Sequence, residues 1–480
     1  MNDSMTFMEE SPLVQADRQN SGIAWAMIAG YVLLTALAIA GGAGKILNVV
    51  FPLLSLLIAL FLYFKAPVMF LGFGWWMWFL APFVRRLADF RSGYTDPSPI
   101  LLAPYLVGMV AIITLLKHAP RVMKEGGMIF ILPIAAIAYG FLLGLLNRAP
   151  LPVIRELFDW LVPLLMGFHL FVHWQEFPVF YKNFQRTFMW GVFVTGAYGI
   201  FQFVTGPAWD VFWLVETGMT AANGYSDREL GAFAIRTFST MQSAEPFSAF
   251  MAAGLLMLLT SKGALYLPAT VVGYLSFLLS MARSGWVGWF AGLITLMGFI
   301  KQQYQIRLIV TLLAITMLVI PVVTMEPFAN DITARVQTLG NVEEDNSATG
   351  RKEAFQNDFI PALKNPIGEG IGGGARDNTM IAIFYALGWM GTALYLTGLF
   401  QAVSQVFKPS REIDSAVSSN IRAVMMTALI RLPVNASLFG VSGALLWEFA
   451  GLGMAARKYY AYQKDEEERY QILMMNELLL

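Results

Sequence analysis

Four arginines stand where loops meet apolar segments: Arg236 in Ile235-Arg236-Thr237-Phe238, Arg283 in Ala282-Arg283-Ser284-Gly285, Arg351 in Thr349-Gly350-Arg351-Lys352, and Arg376 just before Asp377-Asn378-Thr379. A guanidinium grips phosphate or carboxylate through two parallel N–H donors, whereas a lysine acts more as a point charge. Several such groups at one place would hold a multiply charged anion and stabilise charge as it develops on a leaving group. Two carboxylates stand beside them: Asp377 follows Arg376, and Glu245-Pro246 opens a further apolar segment after Arg236. Either could take a proton from an attacking hydroxyl. Asn378 places an amide next to Asp377. Each residue also has a plainer reading. Asp377 or Asn378 suits a helix N-cap, Glu245 before Pro246 suits a first helical turn, Arg283 can snorkel to the headgroups, and arginines can pair with nearby acids such as Asp227 and Glu229. Taken as a set, the arginines favour an anion site.

The stretch between Arg351 and Arg376 has its own pattern. Phe355, Phe359 and Leu363 recur at helical spacing, and Asn365-Pro366 ends that helix. The run Gly368-Glu369-Gly370-Ile371-Gly372-Gly373-Gly374 then lets backbone come close to a ligand. Its amides, near a helix terminus, form an expected anion nest.

The elements that must position these groups are membrane helices. The 480 residues are 57% hydrophobic and 13% charged, with a mean hydropathy of +0.59, whereas a soluble domain is about one quarter charged. Apolar stretches of bilayer-spanning length recur along the chain without period-two alternation, which indicates helices rather than a barrel. The expected fold is therefore all-α, a polytopic bundle of about fourteen transmembrane helices with a long, partly helical outer loop. The spans are placed at 22–41, 46–64, 66–84, 99–116, 128–146, 155–174, 187–206, 245–260, 264–282, 284–300, 307–324, 378–401, 417–434 and 436–455. Mixed Lys and Arg on one side set that side as cytoplasmic. Residues 1–21 and 456–480 are then cytoplasmic tails around a membrane domain, 22–455, whose long loops 207–244 and 325–377 lie outside. Cations on the outside are mostly arginine, against the positive-inside bias.

Composition also excludes chemistry. Formal net charge is +0, so no basic surface addresses nucleic acid. The absence of cysteine removes disulfides, thiol catalysis and thiolate metal sites. His118, His169 and His173 show no metal-ligand spacing, and no metal or other cofactor is expected.

In this order and topology, the segments resemble the O-antigen ligase and O-antigen polymerase superfamily of bacterial membrane proteins. The resemblance spans roughly 187–400 and rests on Tyr198-Gly199-Ile200-Phe201-Gln202-Phe203, the Arg236 segment, Ala282-Arg283-Ser284-Gly285 and Thr349-Gly350-Arg351. It is clearest in Asn365-Pro366-Ile367-Gly368-Glu369-Gly370, followed by Asp377-Asn378 and Ala386-Leu387-Gly388. It implies an inner-membrane enzyme that transfers a glycan from an undecaprenyl-pyrophosphate carrier to a glycan acceptor on the outer face. That transfer uses no metal and no nucleotide sugar. Membrane lipids and other polysaccharide-assembly proteins are its implied partners. Arginines of the outer side, here Arg236, Arg283, Arg351 and Arg376 with Asn378, would hold the pyrophosphate. In the ligase branch a histidine opens the helix after the glycine loop as the proposed base. Asp377 occupies that position here, which favours a polymerase-like or divergent member and makes Asp377 the first candidate base. Glu245, to which the resemblance assigns no catalytic role, is the second. Ligase-type transfer to a lipid or protein acceptor, a secondary transporter and a flippase are the rival readings.

Overall fold

A computed structural model describes residues 12–220, 231–300, 355–374, 378–408, 416–433, 435 and 438–478, with isolated residues between 305 and 324. Among these residues the secondary structure is helical and contains no strand. In chain order the helices are α1 (Pro12–Ala40), α2 (Gly44–Lys65), α3 (Pro67–Ser92), α4 (Ala103–Met109), α5 (Ile112–Val122), α6 (Met128–Asn147), α7 (Pro150–Val172) and α8 (Phe177–Thr205). They continue as α9 (Ala208–Glu216), α10 (Ala244–Leu258), α11 (Tyr266–Leu279), α12 (Arg283–Phe299), α13 (Ile360–Lys364), α14 (Thr379–Phe407), α15 (Ala416–Leu429) and α16 (Gly440–Leu478).

Seven segments are long and apolar enough to cross a membrane: Gln15–Ala40, Gly44–Lys65, Pro67–Ser92, Pro99–Val122, Met128–Asn147, Trp174–Thr205 and Thr379–Phe407. This is half of the expected count. The other large helices are of two kinds. Four are only 14 to 17 residues long, while α7 and α16 carry charges within their apolar runs, Arg155, Glu156 and Asp159 in the first and Glu448 in the second. Length and composition alone therefore do not mark them as spans. Of the expected helix at 307–324, only isolated residues are among those described.

The expected N-terminal tail is partly helix. The helix α1 begins at Pro12, and the Asp17 carboxylate accepts the amides of Val68 (3.2 Å) and Met69 (3.3 Å). Those amides lie in the first turn of α3, where no intrahelical acceptor exists. A charge that reads as tail solvation thus caps a neighbouring helix. At the other end α16 runs unbroken for 39 residues, roughly 58 Å at 1.5 Å per residue. A hydrocarbon core is about 30 Å thick, so its charged, exposed last part projects beyond the packed bundle.

Packing couples α7 to α16, α6 to α14, α8 to α11 and α12 to α15. The α7–α16 pair meets backbone to backbone. A Cβ on Gly451 would stand 2.1 Å from the Gly167 carbonyl oxygen, so small residues set the interhelical distance, as is common where lipid supplies no hydrophobic drive between helices.

Candidate functional site

The described candidate residues gather at one end of the bundle. Arg236 lies in the irregular segment between α9 and α10, and its Nη2 donates to the carbonyls of Ser280 (3.4 Å) and Met281 (3.1 Å). These carbonyls belong to the three-residue turn that delivers Arg283 to the start of α12. The neighbouring Ser284 hydroxyl contacts the Asn435 amide at 3.1 Å. Asn435 in turn donates to Glu245 Oε1 at 3.0 Å, and Arg431 forms an ion pair with the same oxygen. Asn435 O accepts from Thr379 N (3.3 Å) and from the Thr379 hydroxyl (2.7 Å), and Asn378 Nδ2 donates to Pro433 O at 2.6 Å. One connected network therefore ties the starts of α10, α12 and α14 to the end of α15.

Strain concentrates at the same place. Among the described non-glycine residues, three occupy the left-handed region: Phe233 (φ 59°), Ser239 (φ 55°) and Met281 (φ 51°). Two flank Arg236 and the third precedes Arg283 by two positions. Each such residue costs on the order of 1–3 kcal/mol and persists only where its surroundings over-determine it. Here the surroundings do so. Gln202 Oε1 accepts the amides of Phe238 (3.0 Å) and Ser239 (2.8 Å), Thr237 N donates to Leu279 O at 3.1 Å, and Arg86 donates to Ser239 O and, at 2.6 Å, to Met241 O. Arg86 is itself held by Asp210 at 2.8 Å, with both side chains fully buried. Asp210 accepts Gln202 Nε2 (2.7 Å) and the Tyr198 hydroxyl (2.8 Å) on its other oxygen. The Tyr198-to-Phe203 motif thus has a local purpose: Gln202 anchors the strap that carries Arg236, and Tyr198 fixes Asp210, the partner of Arg86. Gly199 leaves room for it, since a Cβ there would stand 2.7 Å from Thr237 Cγ2.

This geometry bears on the plainer readings of Glu245 and Asn378. Glu245 lies in the first turn of α10, whose N-cap position is held by Ser243 with no side-chain cap bond, and its carboxylate is engaged by Arg431 and Asn435. Asn378 is the cap of α14, accepting Met380 N (2.8 Å) and Ile381 N (3.4 Å). Its amide thus clamps backbone on both sides, at that cap and at Pro433. Arg351, Arg376 and Asp377 lie outside the described residues.

The glycine run also differs from expectation. Gly368, Gly370, Gly372 and Gly374 all have positive φ, between 80° and 99°, and the loop inserts between α6 and a break in α14 at Gly388 (φ 58°, ψ −161°). The break frees Trp389 N from its usual acceptor four residues back, Tyr385 O. Trp389 N instead meets Pro366 O at 2.9 Å, and Tyr385 O accepts Glu369 N at 2.8 Å. Irregular backbone is tolerated in a membrane protein when protein groups satisfy it in this way. The nest exists, but the chain fills it: Glu156 Oε2 accepts Gly372 N (2.6 Å) and Gly374 N (3.3 Å).

Arg431 is the group that sequence reasoning passed over. Its side chain is 2% exposed, while that of Glu245 is 41% exposed. The signal available was the run Arg431-Leu432-Pro433-Val434-Asn435 at the turn between two apolar stretches, where an unpaired charge would be costly. Among the described residues, no three of His, Asp and Glu are grouped to hold a metal. No protein-family model matches this sequence, and no curated protein matches it.

Proposed function

We propose that this chain is a metal-independent membrane glycosyltransferase that polymerises or transfers a glycan carried on undecaprenyl pyrophosphate, at the outer face of the bacterial inner membrane. The observation that carries this reading is the convergence of the Arg236 strap, the Arg283 turn and the Arg431–Glu245 pair at one corner of a membrane-helix bundle. The resemblance to the O-antigen ligase and polymerase superfamily supplies the substrate class. In the proposed reaction an acceptor hydroxyl oxygen attacks the anomeric carbon of the donor sugar. The bond from that carbon to the pyrophosphate oxygen breaks and the carrier pyrophosphate leaves with the electron pair. Arg236 and Arg283, with Arg351 and Arg376, stabilise the charge it gains. Asp377 is the proposed base that receives the hydroxyl proton. Glu245, held by Arg431 and Asn435, orients the site with Arg431 and is the second candidate base. Ligase-type transfer to a lipid or protein acceptor would use the same donor site.

The test is deletion of the gene, complementation with variants, and gel analysis of surface polysaccharide chain length. Arg283→Ala is expected to abolish elongation with protein retained in the membrane, and Arg283→Lys to restore it only in part, because the bidentate fork is lost. Full-length polymer from both Arg283→Ala and Arg351→Ala overturns the reading.

A further inference from the structure

The far end of α7 presents a second polar assembly, independent of the proposed transfer reaction. The helix starts beside the glycine loop, where Glu156 fills the nest, and runs about 35 Å before it ends at Val172. Around that end lies a cavity of about 210 Å³, lined by His118, Arg121 and Glu125 from α5 and the turn after it, by Phe171 and His173 from the end of α7, and by Lys458 from α16. This is many times the space one water needs.

The chemistry of the lining selects an anion. Arg121 and Lys458 bring two cationic groups, set against the single carboxylate of Glu125. Arg121 engages that carboxylate through Nε alone, at 2.8 Å, which leaves its two terminal nitrogens without a partner among the described residues. Lys458 Nζ sits over the Phe171 ring, 4.2 Å from its centroid, a contact that fixes its long stem. The two imidazoles are oriented in the same way. His118 Nδ1 lies 3.1 Å from Thr114 O and His173 Nδ1 lies 2.9 Å from His169 O. A carbonyl can only accept, so each Nδ1 carries the hydrogen and each Nε2 is the atom left to bind a proton or a ligand. Their rings stand 5.9 Å apart. A metal cation is disfavoured beside Arg121 and Lys458. A tetrahedral anion with several acceptor oxygens matches a guanidinium edge and an ammonium at once; each Nε2 joins them as a donor only once it has taken up a proton.

We propose that this cavity binds a phosphate group at the end of the bundle opposite the Arg236–Arg283 corner. Basic pockets between membrane helices take phospholipid headgroups, and Phe171 supplies an apolar wall for the part of the lipid below the phosphate. Free phosphate shares the same chemistry.

Native mass spectrometry of the full-length protein in detergent tests the assignment, with phosphatidylglycerol as the probe, phosphatidylcholine as the reference lipid and inorganic phosphate as competitor. The wild-type protein is expected to retain phosphatidylglycerol at least tenfold better than phosphatidylcholine. Combined Arg121→Gln and Lys458→Gln substitution is expected to remove that preference. Arg121→Gln, at a side chain 80% exposed and so without consequence for folding, is expected to weaken it several-fold. Loss of bound phosphatidylglycerol on adding inorganic phosphate assigns the cavity to the free anion, and its persistence assigns it to the lipid. Equal retention of phosphatidylglycerol by wild type and Arg121→Gln, or equal retention of the two lipids by wild type, overturns the proposal.

Discussion

Two arginine–carboxylate pairs sit at the same end of the bundle and differ in what surrounds the carboxylate. Arg86 and Asp210 are both fully buried, and Asp210 is saturated by Gln202 and Tyr198. Arg431 is buried to the same degree, but its partner Glu245 remains 41% exposed, with Oε2 free of partners among the described residues. The first pair is closed in on all sides and bolts a strained strap to the membrane helices. The second keeps an open face beside Ser284 and the start of α12. Equal burial of the arginine therefore says little about role. The hydration of the carboxylate separates a bolt from a site, because a buried charge without a partner is costly and a hydrated one is not.

That difference can be broken experimentally, and the largest effect is expected at Arg86. Arg86→Met strands Asp210 as an unpaired charge in the interior, and losing one partner of such a pair costs about 3–5 kcal/mol. Membrane yield and thermal unfolding in detergent should both fall sharply. Arg431→Met should leave unfolding nearly unchanged, within about 1 kcal/mol, because Glu245 is part hydrated. A collapse in yield for Arg431→Met equal to that for Arg86→Met would erase the distinction drawn between the pairs.

The next effect is read in polymer rather than in stability. Glu245→Gln keeps the shape and an acceptor for Asn435 but removes the charge that holds Arg431. Polysaccharide elongation, measured per protein in the membrane because Arg431 is left a buried cation without its partner, is expected to drop by about two orders of magnitude, the size seen when one preorganised charge-stabilising group is lost. Wild-type chain lengths from Glu245→Gln would make the open pair as structural as the closed one.

The smallest effect is expected at the clamp between the two arginine-bearing turns and α14. Asn378→Ala removes the cap of that helix and should lower stability by about 1 kcal/mol, and Asn378→Asp should restore most of it. A loss of elongation in Asn378→Ala with unchanged unfolding would return Asn378 to direct substrate contact.

How much of this was legible beforehand follows from range. The helices, the turn at Arg283, the end of α13 at Asn365-Pro366 and the cap position at 377–378 are local consequences of hydropathy, proline and side-chain reach, so they can be read along the chain. Even there, the cap fell to Asn378 by its geometry. The number of spans was less legible, since several packed helices are shorter or more charged than a lipid-exposed helix can be. Their polar groups are satisfied by neighbours that no local window includes, as with Glu156 under the glycine loop.

By itself the sequence determined a membrane-embedded, all-helical chain with arginines at loop–helix junctions and a glycine-rich segment able to take left-handed backbone. These follow from bulk transfer energies and backbone sterics, which act within a few residues. Only the tertiary structure decided which charges meet. Arg431 reaches Glu245 across 186 residues of sequence, Arg86 reaches Ser239 and Met241, and Glu156 fills a nest more than two hundred positions away. An ion pair is chosen by distance and hydration in the folded bundle, and neither quantity is written into the spacing of the residues that form it.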